Sequence, residues 1–201
     1  MKRIGILGGT FNPIHKGHIG IAKEARKDFE LNKVVFVPTG IPPHKSKEGL
    51  VGKEHRFKMV KLAISKVPYF SVSRVELDRE GYSYAIDTFG KLKKEFGKSA
   101  KLFYIMGLDS INEILSWRKP LDLFKMCEFI VATRPGAKIR TFRRLVKFPP
   151  LALNIDKIHL IEHKMDISSS DIRKRLKEGK SVAKEVPGEV LKYIAKNKLY
   201  E

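Results

Sequence analysis

The opening residues constrain this chain more than any other stretch. A short apolar run, Ile4 to Leu7, breaks at Gly8-Gly9, and a helical pattern takes over after His18. That order predicts a buried strand, a tight glycine turn and a helix opening near His18. Such a turn offers backbone N–H groups and the positive end of a helix to a phosphate. Two histidines, His15 and His18, stand where the phosphates would lie.

The rest of the chain repeats the alternation. Ile21, Ala22, Ala25 and Phe29 make one face of the first helix, and Val34 to Val37 is a β-branched run stopped by Pro38. Together with the first strand they form a βαβ unit, which implies parallel strands and a right-handed crossover. A helix is expected over Glu54 to Lys66, with Phe57, Val60, Ala63 and Ile64 inward, and a strand over Phe70 to Val75. Ser83 reads as the N-cap of a helix reaching Phe96. Leu102–Met106, Phe129–Ala132 and Ile158–Ile161 read as further strands. A helix through Leu176 is stopped by Gly179, and Val190 to Tyr200 reads as a final helix. The expected fold is a doubly wound α/β sheet, mostly parallel, forming one domain over residues 1–201 with about 166–201 as a helical C-terminal part.

In such sheets ligands bind outside the carboxyl ends of the strands. His44 and Lys45 occupy the loop after the second strand, Gly107 and Asp109 follow the fourth, and Arg134 follows the fifth. Glycine at a strand end suits close backbone approach, and Asp109 suits a ribose hydroxyl.

Composition narrows the partners. The formal charge of +19 favours an anionic ligand. Lys and Glu are interleaved, as in Lys91 to Glu95, so most of that charge reads as solvated helix faces. The basic amphipathic stretch from Ile139 to Phe148 reads the same way. No apolar run approaches the roughly 18–20 residues that span a bilayer. With no export signal and a single cysteine, Cys127, the expectation is a cytoplasmic protein that does not bind a membrane.

The phosphate motif is neither of the common ones: G-x-G-x-x-G and G-x-x-x-x-G-K-[ST] are both missing. His15 and His18 are three apart, so in a helical turn both rings face the same way, with Gly17 leaving room for a ligand. As a metal site the pair lacks a third ligand nearby. Beside a diglycine at a helix start, the two histidines read as donors to phosphoryl oxygens, and the plainer alternative is that they cap the turn.

Gly9-Thr-Phe-Asn-Pro-Ile-His-Lys-Gly-His18 resembles the signature of the HxGH nucleotidyltransferase superfamily, and Ile167-Ser-Ser-Ser-Asp-Ile-Arg173 resembles its second signature. Pro42 to Lys45, Ser83-Tyr84, Gly107 to Ser110, Trp117 and Arg134 to Gly136 are similar to the bacterial nicotinate-nucleotide adenylyltransferases within it. The resemblance implies a Rossmann-like fold and transfer of AMP from ATP, with Mg²⁺, to nicotinate mononucleotide, giving deamido-NAD and pyrophosphate. It implies that backbone N–H groups of Gly8, Gly9, Thr10 and Phe11, with His15 and His18, hold the phosphates. Ile167, Ser168, Ser169 and Ser170 would meet ATP at the second helix start, and Arg173 would neutralise the leaving group. Gly107, Asp109 and Arg134 would complete the ATP site. His44 and Lys45 would meet the acceptor phosphate, Trp117 the pyridine ring, and Ser83, Tyr84, Ala85 and Arg118 the acceptor's carboxylate region.

The chain departs from the usual pattern at three positions, with Asn12 for Asp, Ala85 for Thr and Arg118 for Tyr. Two other readings stay open on the sequence: the same chemistry on nicotinamide mononucleotide or another phosphorylated acceptor, and a basic nucleic-acid-binding module. The latter lacks a nucleic-acid motif, and no nucleic acid is expected as a partner. A homo-oligomer is compatible with the sequence.

Overall fold

The computed structural model describes residues 1–42, 49–133, 154–163 and 167–201. Six strands run β1 (Arg3–Gly9), β2 (Lys33–Pro38), β3 (Phe70–Val72), β4 (Lys101–Gly107), β5 (Glu128–Thr133) and β6 (Ile158–Glu162). They form one all-parallel sheet in the order β3-β2-β1-β4-β5-β6. Among the described residues the α-helices are α1 (Lys16–Asp28), α2 (Lys53–Ile64), α3 (Ala85–Phe96), α4 (Leu108–Asn112) and α5 (Pro120–Met126), then α6 (Ser169–Lys177) and α7 (Gly188–Lys196). The doubly wound Rossmann-like fold is therefore present, and the strand order reverses at β1 and β4, where such sheets bind ligands.

The period of two along each strand sorts the core onto two faces. Leu7, Phe36, Phe103, Ile105 and Ile130 pack with Ala22 and Ala25 of α1, Met59 and Val60 of α2, Ile172 of α6 and Ile194 of α7. Ile4, Ile6, Val35, Leu102 and Phe129 pack with Phe89 and Leu92 of α3, Ile111 of α4 and Phe124 of α5. Burial on both faces explains why these strands read as continuous apolar runs rather than alternating ones. Cys127 is buried in the second cluster, and burial pushes its thiol well above its ordinary pKa.

Three local expectations need correcting. The third strand ends at Val72, because Arg74 turns outward to bind Glu54 and Asp78. In α2 the buried face is Arg56, Met59, Val60 and Ile64, while Phe57 is half-buried beneath the Arg74 guanidinium. Ser83 does not cap α3: the helix starts at Ala85 with Tyr84 at the cap, and the Ser83 hydroxyl accepts from the Gly40 N–H.

Candidate active site

The β1–α1 turn is held from several directions. Phe11 sits buried in the left-handed region, φ 49°, with its ring edge-on to His18. The Asn12 side chain makes three hydrogen bonds: its Oδ1 accepts from Tyr200 Oη at 2.8 Å and from the Val51 N–H, and its Nδ2 donates to the Gly49 carbonyl at 2.8 Å. From the far end of the chain, Ser169 Oγ donates to the Pro13 carbonyl and Arg173 donates to the Asn12 carbonyl at 2.9 Å. The two signature segments are thus in direct contact across more than 150 residues.

Arg56 ties this turn to the neighbouring loop. It is among the most buried side chains of the protein, and it donates to the carbonyls of Thr10, Gly40 and Val51. Burial holds its pKa below the ordinary value for arginine, and three carbonyl dipoles stand in for water. At Gly40 there is no room for anything larger, since a Cβ would come within 2.4 Å of the Glu76 carbonyl oxygen.

His15 is the N-cap of α1 and His18 its third residue. Their rings do face the same way, stacked with centroids 3.7 Å apart. The His15 N–H donates to His18 Nδ1 at 3.2 Å, so that nitrogen carries a lone pair and the neutral His18 proton sits on Nε2. Capping and ligand binding are therefore compatible in one residue. His15 is buried, and burial, with His163 nearby, lowers its pKa to about 4, so it is neutral at pH 7. Gly17 leaves the His15 ring its place: a Cβ there would lie 3.0 Å from His15 Nδ1, so a larger residue would press the ring aside.

That cleft, of about 620 Å³, is lined by Gly8, Gly9, Thr10, Phe11, His15, His18, Gly107, Asp109, Ile167, Ser168 and Ser169. Both α1 and α6 begin at its wall, so two helix N-termini serve one space. A second hollow of about 180 Å³ is lined by Ser83, Tyr84, Ala85, Trp117 and Arg118. Gly8, Gly9 and Thr10 line both spaces, so the diglycine turn is their common wall. In the smaller hollow the half-buried Trp117 ring packs on Tyr104, and the Arg118 guanidinium lies over the Tyr84 ring at 5.0 Å.

Not every expected residue joins these spaces. Ser170 and Arg173 line a third hollow beside Gly49 and Lys177, where the Ser170 hydroxyl accepts from Arg173. The Arg173 guanidinium is thus turned toward the Asn12 carbonyl and Ser170. His44, Lys45, Arg134 and the basic stretch from Ile139 to Phe148 lie outside the described residues.

Residues 6–175 match the family model described as cytidylyltransferase-like. The chain belongs to the cytidylyltransferase-like family. It is 44% identical over 201 residues to a probable nicotinate-nucleotide adenylyltransferase of a Thermoanaerobacter species, covering 99% of this chain and 94% of that one. It is also 44% identical over 199 residues to the probable enzyme of the same name from Moorella thermoacetica, covering 98% and 91%. Among solved structures, Plasmodium falciparum nicotinic acid mononucleotide adenylyltransferase complexed with NaAD superposes with a TM-score of 0.78 at 23% identity, covering 100% of this chain and 98% of that one, a likeness of fold.

Within this cytidylyltransferase-like chain, the departure at Asn12 has a local reason. A carboxylate at residue 12 would accept from Val51 and Tyr200 but would have no hydrogen for the Gly49 carbonyl. Ala85 begins α3 and lines the smaller hollow, and nothing in the structure explains why alanine stands there.

Three residues at the site escaped the sequence reading. Arg56 falls at helical spacing with Met59, Val60 and Ile64, and that spacing was a usable signal. Glu76 is a buried carboxyl in the wall of the smaller hollow; burial raises its pKa, and it accepts from Thr88 Oγ1 at 2.7 Å and from Ser83. His163, at the carboxyl end of β6, lines the large cleft and pairs with Glu24 at 2.7 Å.

Proposed function

We propose that this chain is a nicotinate-nucleotide adenylyltransferase, transferring the AMP moiety of ATP to nicotinate mononucleotide to give nicotinate adenine dinucleotide and pyrophosphate. The observation that supports it most is the pair of spaces sharing the Gly8–Thr10 wall, the larger one served by His18 and two helix N-termini. The naming of relatives 44% identical along nearly the whole chain points the same way.

In this reading ATP fills the larger cleft and the mononucleotide the smaller one, so the acceptor phosphate meets the α-phosphate across the diglycine. The nucleophile is an oxygen of the acceptor's 5′-phosphate, already anionic at pH 7, and needs no general base. It forms a bond to the ATP α-phosphorus as the bond to the bridging oxygen breaks, and pyrophosphate leaves with that electron pair. Catalysis then rests on alignment and on stabilising charge as it builds on the α- and β-phosphates. Backbone N–H groups of Gly8, Gly9, Thr10 and Phe11 and the His18 Nε2–H supply donors. His15 acts as a neutral dipole beneath His18, and Ser168 and Ser169 present the α6 N-terminus to the β- and γ-phosphates. Asp109 accepts from the ATP ribose. Trp117 stacks on the pyridine ring, with Arg118 and the backbone of Ser83, Tyr84 and Ala85 about the carboxylate.

Arg173 acts on the leaving group through the turn it braces, and can swing from the Asn12 carbonyl to pyrophosphate. His44, Lys45 and Arg134 are assigned to the acceptor phosphate and to ATP by the family pattern. Mg²⁺ would enter with ATP as the MgATP substrate, where it would screen the triphosphate. The chain works as one catalytic domain whose helical C-terminal part braces the first turn. It is cytoplasmic and small-molecule-directed; among the described residues no helix is long and apolar enough to cross a membrane. Its direct test is product analysis: ATP, Mg²⁺ and nicotinate mononucleotide should yield dinucleotide and pyrophosphate one to one, and no dinucleotide from the folded protein overturns the assignment.

A further inference from the structure

His163 carries a feature that the phosphate chemistry leaves unused. Its ring is buried, with its Nδ1 2.7 Å from Glu24 Oε2. Its backbone N–H is tied to the Thr133 carbonyl at 2.9 Å, so the residue is fixed at both ends. The other ring nitrogen, Nε2, is buried without a hydrogen-bond partner, in a residue that lines the nucleotide cleft. Buried polar atoms are rarely left so, and one beside a ligand space points to the ligand.

The partner defines what that atom wants. A carboxylate only accepts, so Nδ1 carries the hydrogen and Nε2 of the neutral ring carries a lone pair. At neutral pH the phosphates of a nucleoside triphosphate are acceptors and cannot satisfy it. The donors of ATP are its ribose hydroxyls, which we assign to Asp109, and the amino group of its base. Position agrees. Gly17, Ile21 and Glu24 follow one another along α1, so the ring held by Glu24 flanks the stretch of helix that runs on from the phosphate-binding turn, within electrostatic reach of His15. The lining of the cleft includes the apolar side chains of Ile21, Ala132 and Ile167, as suits a base.

We infer that His163, held by Glu24, is a specificity residue for the donor nucleotide: its Nε2 accepts from the exocyclic amino group of the base and so selects a 6-aminopurine over a 6-oxopurine. The inference rests on ATP being the donor. A 6-oxo group would set its own lone pairs against Nε2, and a site left with an unpaired buried acceptor rejects such a ligand strongly.

The test is equilibrium binding of ATP and of inosine triphosphate, each with Mg²⁺ and without acceptor, to the full chain. The wild type should favour ATP by about 10–100-fold, the size of one buried hydrogen bond. His163→Leu should weaken ATP by a similar factor and leave inosine triphosphate within about threefold, while His163→Gln, whose amide oxygen can accept, should keep most of the preference. The wild-type comparison needs no variant to fold. Equal binding of the two nucleotides by the wild type overturns the inference. So does an equal loss for both in His163→Leu, which would mark a contact to the ribose or phosphates that the two nucleotides share. Because no acceptor is present, a protein that binds ATP selectively yet makes no dinucleotide would sink the proposed reaction and leave this inference standing.

Discussion

The backbone N–H of His15 donates to Nδ1 of His18, and the two imidazoles stack with centroids 3.7 Å apart. One bond therefore caps a helix and fixes a tautomer. With Nδ1 accepting, the hydrogen of the neutral His18 ring is on Nε2, and the proposed reaction uses it as a donor to an oxygen that gains charge. Gly17 keeps the space beside the rings open, and Phe11 supports the His18 ring edge-on.

His18→Ala should lower kcat by about 10²–10³, as expected for removing one transition-state donor. The KM for ATP should change by less than about tenfold if the bond strengthens mainly in the transition state. Steady-state pyrophosphate release measures both, and a near-normal kcat would remove His18 from the mechanism.

His15 makes stability depend on pH in a definite direction. Burial lowers its pKa from 6.5 to about 4, so the unfolded chain binds the proton more readily than the fold does. The stabilisation from keeping this ring neutral is full above pH 6.5 and is lost as pH falls toward 4, up to about 3 kcal/mol. Urea unfolding at pH 7.5 and 4.5 should show that loss, and His15→Asn should remove part of the slope.

Much of this was legible beforehand, and the misses share a cause. All six strands announce themselves as short apolar runs because the sheet is covered on both faces. The phosphate turn and the second signature were legible as residue patterns at helix starts. Their direct contact through Asn12, Pro13, Ser169 and Arg173 was not, since nothing local records a partner at the other end of the chain. Ser83 misled for the same reason: a serine before a helix looks like a cap, but its hydroxyl went to Gly40, 43 residues away. Arg56 was passed over because a charged residue on a helix is usually solvated, although its spacing put it on the buried face.

Arg56→Lys tests the brace between the two loops. One ammonium cannot reach the carbonyls of Thr10, Gly40 and Val51 together, so buried acceptors are left unpaired. The expected cost is on the order of 2–4 kcal/mol, read as a lower urea midpoint, with a larger loss for Arg56→Met. A change below about 0.5 kcal/mol in either variant would show that the brace contributes nothing.

Asn12→Ala should cost roughly 2–3 kcal/mol, because Tyr200 Oη, the Val51 N–H and the Gly49 carbonyl lose their common partner. Tyr200→Phe removes one of those bonds and should cost about 1 kcal/mol. Thermal melts of the two single variants and the double variant measure the coupling; strict additivity would mean that the two side chains act independently.

The most direct test of the account compares two acceptors at saturating MgATP. Pyrophosphate release should proceed with nicotinate mononucleotide, and kcat/KM should be at least about tenfold lower with nicotinamide mononucleotide, as expected when a charge-assisted contact to the carboxylate is lost. Turnover with neither acceptor, or a preference for the amide, would contradict it.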